Sequence, residues 1–151
     1  MEIQIRSHRD PPGVGKREIR SKLKRVLRDL GCHDKELSIL FTDDPRMAQL
    51  NLRYLGRKGP TNVLAFPMAD PDGPGNQTAT VETGMLGDVV VSVDTAQREA
   101  DESGESLRET VDRLLIHGIL HLLGHDHEAS EAAASEMEKE EKRLMALIEV
   151  S

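Results

Sequence analysis

The stretch His117-Gly-Ile-Leu-His121-Leu-Leu-Gly124-His125-Asp126-His127 predicts both the central element of the fold and its chemistry. Residues four positions apart lie on the same face of a helix, so His117 and His121 can direct two imidazole nitrogens at one point. Gly124 can adopt the left-handed backbone conformation that ends a helix and reverses the chain. Such a turn can deliver His127 as a third ligand, and the stretch therefore predicts a metal-binding helix completed by the following loop.

The number and type of these ligands indicate a catalytic metal site. Three neutral imidazoles leave one position open on a tetrahedral ion such as Zn²⁺, and that position can hold water. The same ligands also suit nickel, copper or iron. A single histidine on an apolar helix is usually a core residue, but four histidines within eleven residues at this spacing favour a metal site. We expect the fourth, His125, to line the pocket or to contact a ligand histidine rather than to bind the metal.

Gly118 distinguishes this pattern from the peptidases that share its spacing. The metzincin peptidases place a glutamate beside the first histidine, where it acts as the general base. Gly118 occupies that position here, which argues against peptide hydrolysis while leaving the metal ligands in place. The pattern therefore favours activation of water for attack on another electrophile.

Length and composition predict one soluble domain. A chain of 151 residues can bury a core as a single domain, residues 1–151, without disulfides or repeats. The one cysteine, Cys32, has no partner for an intramolecular bridge and fits a reducing cytoplasm. The N-terminus lacks the apolar run of a signal peptide, and no later stretch is long enough to span a membrane. We therefore expect a cytoplasmic protein with no membrane partner.

Charge is unevenly distributed along the chain. The net charge is −7, yet residues 1–60 contain 14 Lys and Arg against 8 Asp and Glu. A basic half can bind a polyanion, although two ordinary solvated faces explain the pattern equally well. With no Trp, one Tyr and two Phe, the chain has too few aromatic residues for a base-stacking platform.

Hydrophobic periodicity and turn residues predict the order β, α, β, α, β, β, α, α, α. The expected strands are 2–6, 36–41, 61–66 and 89–93. The expected helices are 16–30, one that opens at Asp43 and ends before Gly56, one that Asp94 caps and that runs to about Ser103, one that opens at the capping box Ser106-Leu-Arg-Glu109, and 130–149. Residues 68–84 are expected to form a loop or weak hairpin. This order predicts an α+β domain with a four-stranded mixed sheet packed against about five helices.

The predicted metal helix is apolar almost all round, which indicates a buried, central element. Two histidines on such a helix are costly to bury without a partner, and a bound metal removes that cost. Asp88 and Asp126 are candidates to orient a ligand histidine through its second ring nitrogen, and each is equally well explained as a turn or cap residue.

Several stretches resemble the bacterial YbeY family of metal-dependent endoribonucleases and ribosomal RNA maturation factors. They are residues 117–127, Leu50-Asn51, Tyr54, Pro60-Thr-Asn-Val-Leu-Ala-Phe-Pro67 and Leu86-Gly-Asp-Val-Val-Val-Ser92, and the resemblance runs from about residue 36 to the end of the last helix. It implies that His117, His121 and His127 bind zinc in a zincin-like site. It also implies a cytoplasmic enzyme that acts on single-stranded RNA, not DNA, in 3′ end processing of small-subunit ribosomal RNA and in ribosome quality control.

One residue departs from the family pattern. Members of the family usually have an arginine directly after the tyrosine that matches Tyr54, and this arginine faces the RNA. In this sequence the residue at that position is Leu55. Arg53 and Arg57 are the candidates to replace it, and Arg57 is our choice for neutralising charge on the phosphate in the transition state.

Two other functions remain open at this level. The same three histidines could serve a hydrolase of peptides or small amides whose base comes from elsewhere in the chain. Alternatively, the protein is a non-catalytic ribosome-assembly factor in which zinc stabilises the fold and the basic helix from Lys16 to Arg28 docks on the ribosome.

Overall fold

The computed structural model describes residues 2–68 and 84–149, which form four strands and five helices. They are β1 (Ile3–Ser7), α1 (Lys16–Asp29), β2 (Glu36–Thr42), α2 (Asp44–Leu55), β3 (Val63–Pro67), β4 (Met85–Ser92), α3 (Val93–Ser103), α4 (Leu107–Leu122) and α5 (Glu131–Glu149). The order matches the prediction. Most of the loop expected at 68–84 lies outside the described residues.

The four strands form one mixed sheet in the order β1-β2-β4-β3. β1 pairs with β2 and β2 pairs with β4 in parallel, whereas β3 pairs with β4 antiparallel. The predicted α+β class with a four-stranded mixed sheet is therefore confirmed.

Helices cover both faces of the sheet because the side chains of a strand alternate between its faces. On β4, Val89 and Val91 belong to the large core that also contains residues of α1, α4 and α5. Val90 points the other way and packs with Met47 of α2 and Leu64 of β3 in a smaller cluster. The helix α4, the predicted metal helix, thus lies between the sheet and other helices, as its apolar surface predicts.

At Gly118 the backbone of α4 packs directly against the sheet. A Cβ atom placed on Gly118 would lie 2.6 Å from Cγ1 of Val89, a side chain that is itself fully buried. No side chain fits there without displacement of the helix or the strand. The glycine that stands where peptidases have their catalytic glutamate is therefore required by packing.

A capping box marks the N-terminal end of α4. The hydroxyl of Ser106 accepts a hydrogen bond from the backbone N–H of Glu109 at 3.1 Å, and the Glu109 carboxylate lies 3.2 Å from the same hydroxyl. This is the predicted N-cap, with the glutamate reaching back to the serine side chain.

The start of α3 differs from the prediction. The helix begins at Val93, directly after β4, and its N-cap is Ser92, whose hydroxyl accepts from the N–H of Thr95. Asp94, the predicted cap, instead accepts from the N–H of Asp44 at 2.9 Å and pairs with Arg9 at 3.0 Å. Its carboxylate therefore joins α3 to α2 and to the segment after β1.

The predicted basic surface on α1 is present. Its exposed cations are Lys16, Arg17, Lys24 and Arg28. Lys22, by contrast, is half-buried and forms an ion pair with Asp112 of α4 at 2.8 Å, so it joins α1 to α4. Within residues 2–68 and 84–149, no helix combines the length and the apolar character needed to cross a bilayer.

Candidate metal centre

Three histidines come together at the C-terminal end of α4. One ligand atom from each of His117, His121 and His127 lies within 4.8 Å of the others. The ring centroids are separated by 5.1 Å for the two helical histidines, and His127 lies 5.2 and 5.5 Å from them. The spacing on the helix and the turn after it therefore bring the predicted ligands together.

The turn after α4 has the hydrogen bonds of a Schellman motif. Gly124 has a φ of 100°, its N–H donates to the carbonyl of His121, and the N–H of His125 donates to the carbonyl of Leu120, both at 3.0 Å. Asp126 then accepts from the N–H of Glu128 at 3.0 Å. These local bonds hold the loop that presents His127.

The site is half-buried and open on one side. His117 and His121 are partly buried, whereas 45% of the His127 side chain is exposed. Burial lowers the pKa of His121, and the neighbouring His117 and His127 lower it further. This imidazole is therefore neutral at neutral pH, the state in which a nitrogen can bind a metal ion. The three-nitrogen donor set and its compactness fit a zinc-like ion with one position left for a further ligand.

Glu141 of α5 also lies next to the site, and the sequence alone does not predict this contact. Its carboxylate Oε1 is hydrogen-bonded to Nδ1 of His117. The two residues are 24 positions apart, so no local motif connects them. A signal was present, however, because Glu141 interrupts the apolar face formed by Met137, Leu144 and Ile148 of the last helix.

The two aspartates considered for orienting a histidine have other positions. Asp88 precedes Val89, whose side chain packs toward α4, so strand alternation turns Asp88 to the other face of the sheet, next to Phe66. No hydrogen bond joins its side chain to a histidine among the described residues. Asp126 serves as a turn residue through its bond to the N–H of Glu128.

His125 lies outside the three-histidine cluster, as expected. Its backbone N–H closes the turn after α4, and its side chain is half-buried.

Of the two candidate arginines, Arg57 lies close to the loop after α4 that carries His127 and Glu128. Its guanidinium lies 3.6 Å from the Glu128 carboxylate, whose other oxygen is 3.9 Å from Nε2 of His127. The guanidinium of Arg53 instead lies over the ring of Tyr54, 5.4 Å from its centroid. The side chain of Leu55 is exposed and supplies no charge.

Asn51 holds the segment that carries Arg57. Its side-chain N–H donates to the carbonyl of Gly59 at 2.9 Å, and its backbone carbonyl accepts from the N–H of Arg57 at 3.3 Å. Gly56, with a φ of 66°, ends α2 in the left-handed conformation and starts this segment. The position of Arg57 thus follows from a buried asparagine six residues earlier in the chain.

Fold and site together define a class of protein: an α+β protein in which a buried helix and the turn after it present three histidines in a zincin-like arrangement. A family model described as Endoribonuclease YbeY matches residues 4–149, and the chain belongs to this family. The resemblance inferred from the sequence is confirmed and extends further toward the N-terminus than the motifs alone indicated.

Individual relatives agree with the family assignment. The endoribonuclease YbeY of Geobacter metallireducens is 39% identical over 150 residues, covering 99% of this chain and 97% of the relative. That of Syntrophus aciditrophicus is 38% identical over 149 residues, covering 98% and 90%. The Aquifex aeolicus protein is 46% identical over 115 residues, covering 76% and 71%.

A solved structure has the same fold. The solution structure of a Thermotoga maritima protein superposes with a TM-score of 0.63, covering 97% of this chain and 88% of that chain. At 22% sequence identity this likeness concerns the fold alone.

Proposed function

We propose that this protein is a metal-dependent endoribonuclease that cleaves single-stranded RNA during ribosomal RNA maturation. The observation that carries the proposal is a compact three-histidine cluster in a chain that the endoribonuclease YbeY family model matches almost from end to end. We infer that its substrate is the 3′ region of small-subunit ribosomal RNA and that it acts on the small ribosomal subunit, including in ribosome quality control. The single cysteine, Cys32, fits a reducing cytoplasm as the site of action.

His117, His121 and His127 are the proposed ligands of one Zn²⁺ per chain. Such an ion supplies Lewis acidity, which lowers the pKa of water and stabilises negative charge on a phosphate oxygen. Imidazole nitrogens also bind nickel, copper and iron, so zinc is preferred here for the tetrahedral geometry that three histidines suit.

The exposed side of the site is where RNA would enter. His127 and Glu128 are exposed there, and Arg57 forms a solvent-exposed ion pair with Glu128. An exposed ion pair of this kind contributes little to stability, so a phosphate can replace the carboxylate as the partner of Arg57. We infer that Arg57 neutralises charge that develops on the phosphate during cleavage.

The two alternative functions are less compatible with the site. Peptidase chemistry of the metzincin kind needs a glutamate at position 118, where Gly118 packs too closely on Val89 to be replaced. A purely structural zinc site takes four protein ligands, whereas the cluster in the described part of the chain has three. Three ligands and an open side favour catalysis.

Replacement of Arg57 by alanine is expected to lower kcat/KM for RNA cleavage by about tenfold to a hundredfold, because one charge-stabilising donor is removed. Arg57 is exposed, so metal content and thermal stability should stay at wild-type values. Arg53→Ala is the matched control, since its guanidinium is occupied on Tyr54. Equal losses for the two variants would refute a specific role for Arg57.

Zinc is expected to raise the midpoint of thermal unfolding. At a free zinc concentration about a hundred times the dissociation constant, binding to the folded state adds about 2.7 kcal/mol. Because burial and the neighbouring His117 and His127 lower the pKa of His121, protons compete with the metal at this residue only under acidic conditions. Differential scanning fluorimetry from pH 5 to 8 should therefore show a shift that shrinks on acidification; a shift independent of pH would argue against imidazole ligands.

The proposed function is tested by incubating purified protein of known zinc content with a fragment from the 3′ region of small-subunit ribosomal RNA, single-stranded or annealed to its complement. We expect cleavage of the single strand, little cleavage of the duplex and none of a protein substrate. Inert protein that contains one zinc per chain and still binds ribosomal particles would instead favour the assembly-factor function.

A further inference from the structure

Glu141 occupies a position at which the pattern of α5 calls for an apolar residue. Met137, Leu144 and Ile148 are the buried residues of this helix, and Glu141 lies four residues after the first and three before the second. Its side chain is only 20% exposed. A carboxylate in such a place is costly unless it has a hydrogen-bonding partner.

The partner of Glu141 is the imidazole of His117, which is 24% exposed. The hydrogen bond uses Nδ1 of the ring. A carboxylate only accepts hydrogen bonds, so the bond requires a proton on Nδ1, and in the neutral ring the lone pair is then on Nε2.

We propose that Glu141 is the positioning residue of the metal site: it holds His117 in the tautomer and ring orientation that direct Nε2 at the metal. The inference rests on the proposed metal-binding role of the three histidines. It identifies α5, which contributes no ligand of its own, as part of the structure that determines metal affinity.

Glu141 is placed behind the ligand histidine and not among the ligands. The group of side chains whose donor atoms lie within 4.8 Å of one another comprises His117, His121 and His127, and Glu141 is not a member of it. Nδ1 and Nε2 lie on different sides of the ring, so a carboxylate bound at one leaves the other free. Acceptors in this position orient metal-bound histidines and raise their basicity.

The helix that carries Glu141 is itself fixed. Arg143, two residues further along, lies 2.7 Å from Asp29 at the end of α1 and 2.8 Å from Glu140. Hydrogen bonds to Glu140 and Asp29 raise the pKa of Arg143, so the cation persists at every physiological pH. The ion pairs of Arg143 and the buried apolar residues of α5 together fix the position of Glu141 relative to His117.

The test compares zinc dissociation constants, measured by competition with a chromophoric chelator, for wild type, Glu141→Met and Glu141→Gln. Methionine restores the apolar face of α5, so the metal-free variant should unfold at or above the wild-type temperature. We expect its zinc affinity to fall about tenfold to a hundredfold. Glutamine keeps an uncharged acceptor and should show an intermediate loss.

Glu138→Gln is the matched control, because Glu138 lies on the same helix, is exposed and pairs only with Lys142 among the described residues. Its zinc affinity should equal that of wild type. Substitution of Co²⁺ for zinc adds a second readout, since the visible absorption of the ion should change in Glu141→Met and not in Glu138→Gln.

A zinc affinity of both Glu141 variants within about twofold of wild type would overturn the proposal, as would an equal loss in Glu138→Gln. If Glu141→Met fails to fold, the zinc affinity of Glu141→Gln alone tests the proposal. Because the readout is metal affinity, the proposal stands or falls separately from RNA cleavage. Wild-type protein that binds zinc tightly and cuts no RNA would contradict the proposed nuclease function and leave the role of Glu141 intact.

Discussion

The His121→Ala variant is expected to lose RNA cleavage by about a thousandfold or more. A metal ion contributes several kcal/mol to the stabilisation of a phosphoryl transition state, and each 1.4 kcal/mol corresponds to a tenfold change in rate. With two of three ligands left, the site no longer holds the ion under assay conditions. Single-turnover cleavage of a single-stranded ribosomal RNA fragment, with the zinc content of each preparation determined, measures the effect.

The variant itself should remain folded. His121 is partly buried at the end of α4, and alanine is a good helix former, so the change leaves the core residues around it in place. His33→Ala, which removes an exposed histidine outside the cluster, should cut RNA at the wild-type rate. Undiminished cleavage by zinc-free His121→Ala would show that the histidine cluster is not the catalytic centre.

The Gly118→Ala variant is expected to be destabilised by about 1–3 kcal/mol, as for other overpacked cores. The new methyl group would lie 2.6 Å from Cγ1 and 3.1 Å from Cγ2 of Val89, a short branched side chain that is fully buried. The helix must therefore shift away from β4, which also moves His117 and His121 relative to His127. Urea unfolding of the metal-free protein, with the slope compared between variants, measures the loss.

Gly15→Ala provides the matched control, because nothing lies within 4 Å of the Cβ position there. Its stability should fall by no more than about 1 kcal/mol, because Gly15 is the N-cap of α1, where alanine is less favourable than glycine. Gly118→Glu, which recreates the peptidase pattern, should fail to fold and should give no peptidase activity. A stable Gly118→Ala protein would mean that α4 is not packed on β4 as described.

The three-histidine cluster could be predicted from sequence because it is encoded locally. The spacing of His117 and His121 on one helix face, and the left-handed conformation of Gly124, are properties of a single short stretch. The order of strands and helices was predicted for the same reason, since hydrophobic period and turn residues act over a few positions. The start of α3 was predicted less well, because the hydroxyl of Ser92 is the N-cap while the carboxylate of Asp94, two residues later, forms tertiary contacts.

The surroundings of the three histidines could not be predicted, because they depend on contacts between distant segments. Glu141 meets His117 only after α5 has packed against α4, and the sequence indicated no more than an acidic residue on an apolar face. The proximity of Arg57 to Glu128 likewise depends on how the segment after α2 folds back toward the loop after α4. Gly118 was recognised as a missing base, whereas its packing on Val89 became apparent only in three dimensions.

The most direct test of the account is the rate of single-stranded RNA cleavage measured as zinc is added back to metal-free wild-type protein. If the three-histidine cluster is a catalytic zinc site, metal-free protein cuts no RNA, and the rate rises in proportion to bound zinc until one ion per chain is present. Cleavage at the full rate by protein shown to be free of metal, with all three histidines intact, would contradict it.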